Sequence, residues 1–284
     1  MIKTALLGLG KTGIVVAEHL LNSACFDLVS VICKPNSPKK DRQLSEFIKS
    51  NTANSLTIKS NDALKEEIRT KKFKIAIDFT TPEASLANAK ILAENGINIV
   101  IGTNGFNNMQ VYELKKIAQK NKTGIVYAPN ISLGINLLLS ISKTISRLIP
   151  NYDVEITEYH HRHKKDSPSG TALKIANEIA TARGVNPNNY VHGRKGNTTR
   201  ATNEIGIHAI RAGGIVGVHK VLFAGEHDEL EIIHRSYSRL VFAEGALRAA
   251  SFIANHKGFY YMEEVINNEE PNDAVNDSSI KTKI

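Results

Sequence analysis

The chain has 284 residues, 42% hydrophobic and 23% charged, which excludes wholesale disorder and predicts one large or two smaller folded units. Lysine and arginine number 36 against 28 acids, a formal charge of +8 that directs attention to anionic partners. Gly8 and Gly10 interrupt the first apolar run, and no later run reaches the roughly 18 apolar residues of a membrane span, so no export or membrane segment is expected and the reading is cytoplasmic.

In chain order, Ile2 to Leu7 is an apolar run of strand type. It meets Gly8-Leu9-Gly10-Lys11-Thr12-Gly13, after which Ile14, Ala17, Leu20 and Leu21 recur at helical spacing. Leu28 to Cys33 is a second strand, giving the strand–GxGxxG–helix–strand order of a dinucleotide fold. Gly8 would allow the tight turn, Gly10 would let backbone approach a pyrophosphate, and Gly13 would allow close packing beneath the helix. The N–H groups of the helix start suit phosphate. Cys25 and Cys33 flank the second strand and are expected to be buried thiols. That strand leads to Lys34, with Lys39, Lys40 and Arg42 beyond and no acid at the position that would bind a ribose 2′-hydroxyl. The expected cofactor is therefore NADPH, with NADH as the alternative. Lys34 is the candidate contact, and the other three cations are read evenly as contacts or as solvated loop.

The alternation continues. Lys74 to Phe79 is a strand, and Thr81-Pro82-Glu83 opens a helix that Gly96 ends. Ile97 to Ile101 is a strand, Tyr112 to Lys120 a helix, and Gly124 to Ala128 a strand. Parallel strands place ligands at their C-terminal ends. Phe79 and Thr80, Gly102, Thr103 and Asn104, and Ala128, Pro129, Asn130 and Ile131 are accordingly candidates to line the cofactor cleft.

Leu133 to Leu148 is a long apolar helix, followed by an alternating strand from Asp153 to His160 that puts Val154, Ile156, Glu158 and His160 on one face. The densest polar run follows, Glu158 to Ala172. Ser169 is placed to cap a helix whose first turn holds Gly170 and Thr171, a start suited to a carboxylate. His160 and Lys164 would supply protons near that anion, and His161 and His163 would bind or orient. Three histidines could hold zinc, but no cysteine is near and no HExxH helix is present, so no metal is expected. The Pro-Ser-Gly turn and the scarcity of aromatic residues argue against nucleic acid. Glu204 to Arg211, Ile215 to Ala224 and Leu230 to Arg235 are strands of an open antiparallel or mixed sheet, joined at Gly213-Gly214 and at Gly225 to Asp228. His192, His208, His219, His227 and His234 are read as turn or sheet surface, and Arg239 as a helix-start residue with a lesser claim to a substrate carboxylate. Leu240 to Ala254 is an apolar helix expected to return to the first unit. The Asn-, Asp- and Ser-rich stretch 267–284 reads as a disordered tail.

The run Glu158-Tyr159-His160-His161-Arg162-His163-Lys164-Lys165-Asp166-Ser167-Pro168-Ser169-Gly170-Thr171-Ala172 resembles the signature of the 4-hydroxy-tetrahydrodipicolinate (dihydrodipicolinate) reductases. Supporting matches include Asp78-Phe79-Thr80, Gly102-Thr103, Asn130-x-Ser132-x-Gly134-x-Asn136, Arg211-x-Gly213, Val216-Gly217-x-His219 and Ser238-Arg239. The resemblance implies hydride transfer from NADPH or NADH to a cyclic unsaturated dicarboxylate, in lysine and diaminopimelate biosynthesis. It implies His160 as proton donor and acceptor, Lys164 as proton donor, and His161, Gly170 and Thr171 as carboxylate contacts. The implied cofactor surface is Gly8 to Gly13, Lys34, Gly102 to Asn104 and Ala128 to Ile131. The implied fold is α/β: a Rossmann-type dinucleotide-binding domain, 1–130 completed by 240–266, and a smaller α+β substrate and oligomerisation domain, 131–239, whose open mixed sheet assembles a homotetramer. This sequence departs from the family in a glycine loop one residue shorter, in Asn104, in Gly214 and Val218 where acids are common, and in lacking the acid after the second strand. A cofactor-binding regulator and an unrelated Rossmann dehydrogenase are the competing readings.

Overall fold

A computed structural model describes residues 1–48, 56–186 and 190–268. Along the chain run β1 (Ile2–Leu7), α1 (Lys11–Leu21), β2 (Phe26–Cys33), β3 (Ile58–Ser60), α2 (Leu64–Lys71), β4 (Ile75–Asp78), α3 (Pro82–Glu94), β5 (Asn98–Ile101), α4 (Asn108–Asn121) and β6 (Gly124–Tyr127). Then come α5 (Leu133–Leu148), β7 (Asp153–His160), α6 (Gly170–Arg183), β8 (Tyr190–Val191), β9 (Ile205–Arg211), β10 (Gly217–Ala224), β11 (Glu229–Ser236), α7 (Leu240–Ala254), β12 (Gly258–Tyr261) and α8 (Met262–Asn267).

Seven strands form one parallel sheet in the order β12-β6-β5-β4-β1-β2-β3. Strands β4, β5 and β6 are buried along their whole length, as a parallel sheet with helices on both faces requires. One face packs with Val16, Ala17 and Leu20 of α1 and Ala246, Ala249 and Ile253 of α7, the other with Ala89 and Leu92 of α3 and Leu114 of α4. The second sheet is mixed, in the order β11-β10-β7-β9-β8: β10 is antiparallel to β11 and β7, whereas β7, β9 and β8 are parallel. Its inner face, with Val154, Ile156, Val221 and Phe223, packs on Ile175, Ala176 and Ile179 of α6 and Ile135 and Leu138 of α5. The α/β fold expected from the alternation is therefore present, with the open sheet mixed.

Local chemistry explains the boundaries. Thr81 Oγ1 accepts from Ala84 N at 3.4 Å and Pro82 opens α3. Ser169 Oγ accepts from Ala172 N at 3.2 Å, and Gly184, at φ +65°, closes α6 in the left-handed conformation. Helix α7 packs on α1 and β12 adds the last strand to the first sheet. Strands β3 and β12 carry no clear sequence signal, being three- and four-residue strands at the two sheet edges.

Two expectations need correction. Cys33 is buried at the end of β2, but Cys25 is exposed in the turn that precedes it. Of the expected tail, Asn267 and Asn268 close α8, and 269–284 lies outside the described residues. Among the described residues no helix is long and apolar enough to cross a membrane.

Gly245 brings α7 onto the exit of β6, where a Cβ would stand 1.8 Å from the Ile131 carbonyl oxygen. Gly245→Ala is expected to destabilise the fold by about 1–3 kcal/mol, read as a lower urea midpoint.

Candidate active site

The exits of the parallel strands form the first part of the site. Gly8 has φ +93°, and a Cβ there would lie 2.3 Å from the Phe79 carbonyl oxygen. A Cβ on Gly13 would lie 2.0 Å from the Gly8 carbonyl oxygen, so this glycine lets α1 start against the loop. Gly10, the N-cap of α1, has no atom within 4 Å of its would-be Cβ, leaving the approach to the helix start open. A cleft of about 480 Å³ gathers Gly8, Leu9, Gly10, Lys34, Lys39 and Thr80. Lys11 is exposed, Thr12 half-buried and Gly13 buried at the helix start beside it.

Lys34 is exposed at the cleft. Lys39 is half-buried, donates to the Leu9 carbonyl at 2.6 Å and stands over the Phe47 ring. Arg42 pairs with Glu46 and covers the same ring, while Lys40 is exposed. Of the three further cations, Lys39 thus belongs to the cleft.

Asp78, at the end of β4, organises the neighbouring exits. Its Oδ1 accepts from Thr80 N at 2.9 Å, Thr80 Oγ1 at 2.6 Å and Thr103 Oγ1 at 3.2 Å, and its Oδ2 from Asn88 at 3.0 Å. Burial raises the pKa of this carboxyl, opposed by those hydrogen bonds. The Thr80 and Thr103 hydroxyls are consequently turned inward. Phe79 packs its ring under Gly102, where a Cβ would meet it at 2.3 Å. Asn104 is exposed, and Ala128 and Ile131 are buried, leaving mainly their backbone to face a ligand. Pro129 lines a different cavity, with Tyr127, Asn136 and Lys174.

Asn130 links this region to the start of α6. Its amide donates to Thr171 Oγ1 at 3.0 Å, and its Oδ1 accepts from Ser132 N at 3.1 Å. Its carbonyl accepts from Asn136 at 2.8 Å.

The polar run lies at the end of β7. Glu158 is fully buried, and His160 Nδ1 hydrogen-bonds to its Oε2. Arg211, opposite His160 at the end of β9, forks onto both oxygens at 2.9 and 2.7 Å. Ser169 N donates to Oε1 at 3.0 Å. Burial by itself would raise the Glu158 pKa, but hydrogen bonds from His160, Arg211 and Ser169 N outweigh it and hold the carboxyl at about 2. Glu158 therefore remains ionised at neutral pH.

The two N–H groups next along α6, of Gly170 and Thr171, have no acceptor among the described residues, and Gly170 is open to solvent. Lys164 is half-buried, with its ammonium 2.8 Å from Asp166 Oδ1. His161 is half-buried; desolvation, then the charges of His163, His160, Arg239 and Lys164, lower its pKa. Arg239 caps α7 and is exposed.

Sequence reasoning assigned no role to Glu158 or Arg211, and it misplaced His219. That residue is not sheet surface: it is 4% exposed, pairs in register with Glu158, contacts Ser169 Oγ through Nε2 at 3.3 Å and stands edge-on to His160. Burial, reinforced by the charge of His160, pushes its pKa down to about 3, so it is neutral. His234, opposite His219 on β11, is also half-buried rather than on the surface, packed against Gly134.

Residues 2–131 match the family model for the N-terminus of dihydrodipicolinate reductase, and 134–266 match that for its C-terminus. The chain belongs to the dihydrodipicolinate reductase family. Within this family it is 37% identical to the 4-hydroxy-tetrahydrodipicolinate reductase of Methanocaldococcus jannaschii, covering 94% of this chain and 97% of that one. It is 40% identical to that of Methanosarcina acetivorans, over 94% and 99% of the two chains. A solved dipicolinate-bound dihydrodipicolinate reductase from a Paenisporosarcina species superposes with TM-score 0.75 at 29% identity, over 92% of this chain and 97% of that one. An amine dehydrogenase from Mycobacterium smegmatis, 12% identical with TM-score 0.66 over 92% and 95%, shares the fold. The chain is accordingly an NAD(P)H-dependent reductase.

The buried imidazole makes a stability prediction. Unfolded, His219 takes up a proton near 6.5; folded, it resists until about 3, so acidification through this interval favours unfolding. His161 and His234 act in the same direction, and Glu158 adds its own loss below 4.5. Between pH 6.5 and 4.5, His219→Gln is expected to lose about 2–3 kcal/mol less stability than the wild type, measured by urea unfolding at each pH.

Proposed function

We propose that this chain is a 4-hydroxy-tetrahydrodipicolinate reductase of lysine and diaminopimelate biosynthesis. It transfers hydride, from NADPH in preference to NADH, to a cyclic unsaturated dicarboxylate and yields tetrahydrodipicolinate. The observation that carries this reading is the convergence of a carboxylate-paired His160, the free N–H groups of Gly170 and Thr171, and the Asn130–Thr171 hydrogen bond to the exit of β6.

The residues of the parallel-sheet cleft fit a phosphorylated dinucleotide. The helix start of α1 and the open approach at Gly10 would receive the pyrophosphate. With no carboxylate among the described residues lining the cleft, the Lys34 ammonium would hold a 2′-phosphate, and Lys39 lines the same cleft. Backbone of Gly102 to Asn104 and Ala128 to Ile131 would carry the remainder of the cofactor surface. When bound, the dihydronicotinamide supplies the hydride.

Gly170 N, Thr171 N and the Thr171 hydroxyl would hold one substrate carboxylate, with Ser169 fixing the helix start and His161 adding a further contact. Thr171 Oγ1 accepts from Asn130, which frees its own proton for the substrate. Hydride addition to a conjugated ring leaves an electron pair that must take a proton. The imidazolium form of His160 delivers it from Nε2 and returns to the neutral ring protonated on Nδ1, where Glu158 engages it, and Lys164 is the second donor. Positioned acid–base catalysis of this kind contributes about 10²–10⁴-fold.

The division proposed is a cofactor domain, 1–130 with 240–266, and a substrate domain, 131–239. The outer face of the mixed sheet exposes Ile210 and Ile233, which supports self-association into a homotetramer.

The test is oxidation of NADPH and of NADH, each with and without freshly generated substrate. Substrate-dependent oxidation is expected with both, at a higher kcat/KM for NADPH. Lys34→Ala should raise KM for NADPH about tenfold and leave that for NADH nearly unchanged, the loss of one charge-assisted phosphate contact. Absence of substrate-dependent oxidation with either cofactor would overturn the reading.

A further inference from the structure

We infer that Glu158 is a positioning residue that aligns two parts of the site with one carboxylate: the imidazole of His160 and the anion-binding start of α6. The inference rests on the activity proposed above and goes beyond it in assigning a shared origin to proton delivery and substrate binding.

The geometry divides the work between the two oxygens. Oε2 takes His160 Nδ1, and Oε1 takes Ser169 N at 3.0 Å. An ionised carboxylate can only accept, so it fixes the proton on Nδ1 and leaves Nε2 free to exchange a proton with a ligand. Ser169 is the N-cap of α6, so fixing its backbone N–H also fixes the directions of the Gly170 and Thr171 N–H groups. Arg211 holds the carboxylate itself through a two-pronged contact at 2.9 and 2.7 Å, and reaches the Asp166 carbonyl at 2.6 Å. The loop between His160 and Ser169 is thereby tied to the same guanidinium. His219, neutral and buried, supplies a second tie at Ser169 Oγ, 3.3 Å away. No exposed surface of Glu158 remains to touch a substrate. Its effect on the reaction passes through His160 and Ser169.

The test compares wild type, Glu158→Gln, His160→Gln and the double variant. Gln keeps the size of the side chain but offers one acceptor and one donor, so it cannot accept from both His160 and Ser169. Glu158→Gln is expected to lower kcat by about 10²-fold or more, as misorientation of a catalytic imidazole does. Inhibition by dipicolinate should weaken about tenfold as the start of α6 loses its fix, while NADPH binding, followed by cofactor fluorescence, stays within about twofold. The double variant should be no slower than His160→Gln within about threefold, because both changes disable one unit. A merely structural role would make the two losses multiply, and that result overturns the inference. So does an active wild type with Glu158→Gln within about threefold of it in kcat. An inactive wild type overturns the proposed activity, and the inference with it. If Glu158→Gln does not fold, Glu158→Asp keeps the charge for Arg211 and shortens the reach. The same fall in kcat then supports positioning, and wild-type kcat refutes it.

Discussion

A carboxylate buried without partners would lose its charge or unfold its surroundings. Glu158 avoids both outcomes because three different parts of the chain donate to it: the next inward-facing residue of its own strand, the end of β9 and the cap of α6. The same donors that keep it ionised are thereby held in place. Removing one member of a buried charged pair costs about 3–5 kcal/mol, and that cost keeps β7, β9 and α6 in register at the point where the proposed substrate chemistry is set. The row Glu158–His219–His234 across β7, β10 and β11 extends this polar cluster over the apolar layer of Val154 and Ile156.

The cofactor side repeats the device in another form. Asp78 gathers the exits of β4 and β5 as Glu158 gathers β7, β9 and α6, each a buried acid that accepts from loops otherwise free to wander. Between them stands Asn130, bonded forward to Ser132 and across to Thr171. The exit of a parallel strand and the start of α6 are thus one hydrogen bond apart, the closeness that the proposed hydride transfer between two separately bound molecules requires. Part of the positive balance is placed locally, with Lys39 on the Leu9 carbonyl, Lys164 on Asp166 and Arg211 on Glu158.

Much of this was legible in the residues. The glycine spacing, the apolar runs and the Thr81 and Ser169 caps located β1, β7, α3, α5, α6 and α7, because each follows from local sterics and capping. Glu158 was also visible in principle: alternation placed it on the face of Val154 and Ile156, and an acid on a core face announces a partner. The partner was not visible, since Arg211 lies 53 residues away and meets Glu158 only through the β7–β9 register. His219 is misplaced by its residue type, not by its position. It shares the phase of the buried Val221 and Phe223 and lies opposite Glu158, so alternation does place it inward, and only its polar residue type suggested a surface. Lys39 could not be separated from Lys40 and Arg42 without the contact to Leu9. The short edge strands β3 and β12 lack the length to show a period.

The central claim is that an ionised Glu158 dictates which nitrogen of His160 carries the proton. Nitrogen-15 NMR of the histidine-labelled wild-type protein, with His160 assigned by substitution, reads this directly near neutral pH. The account predicts neutral His160 protonated on Nδ1, with Nε2 bare. A His160 protonated on Nε2 alone would show that Glu158 does not set the imidazole and would contradict the account.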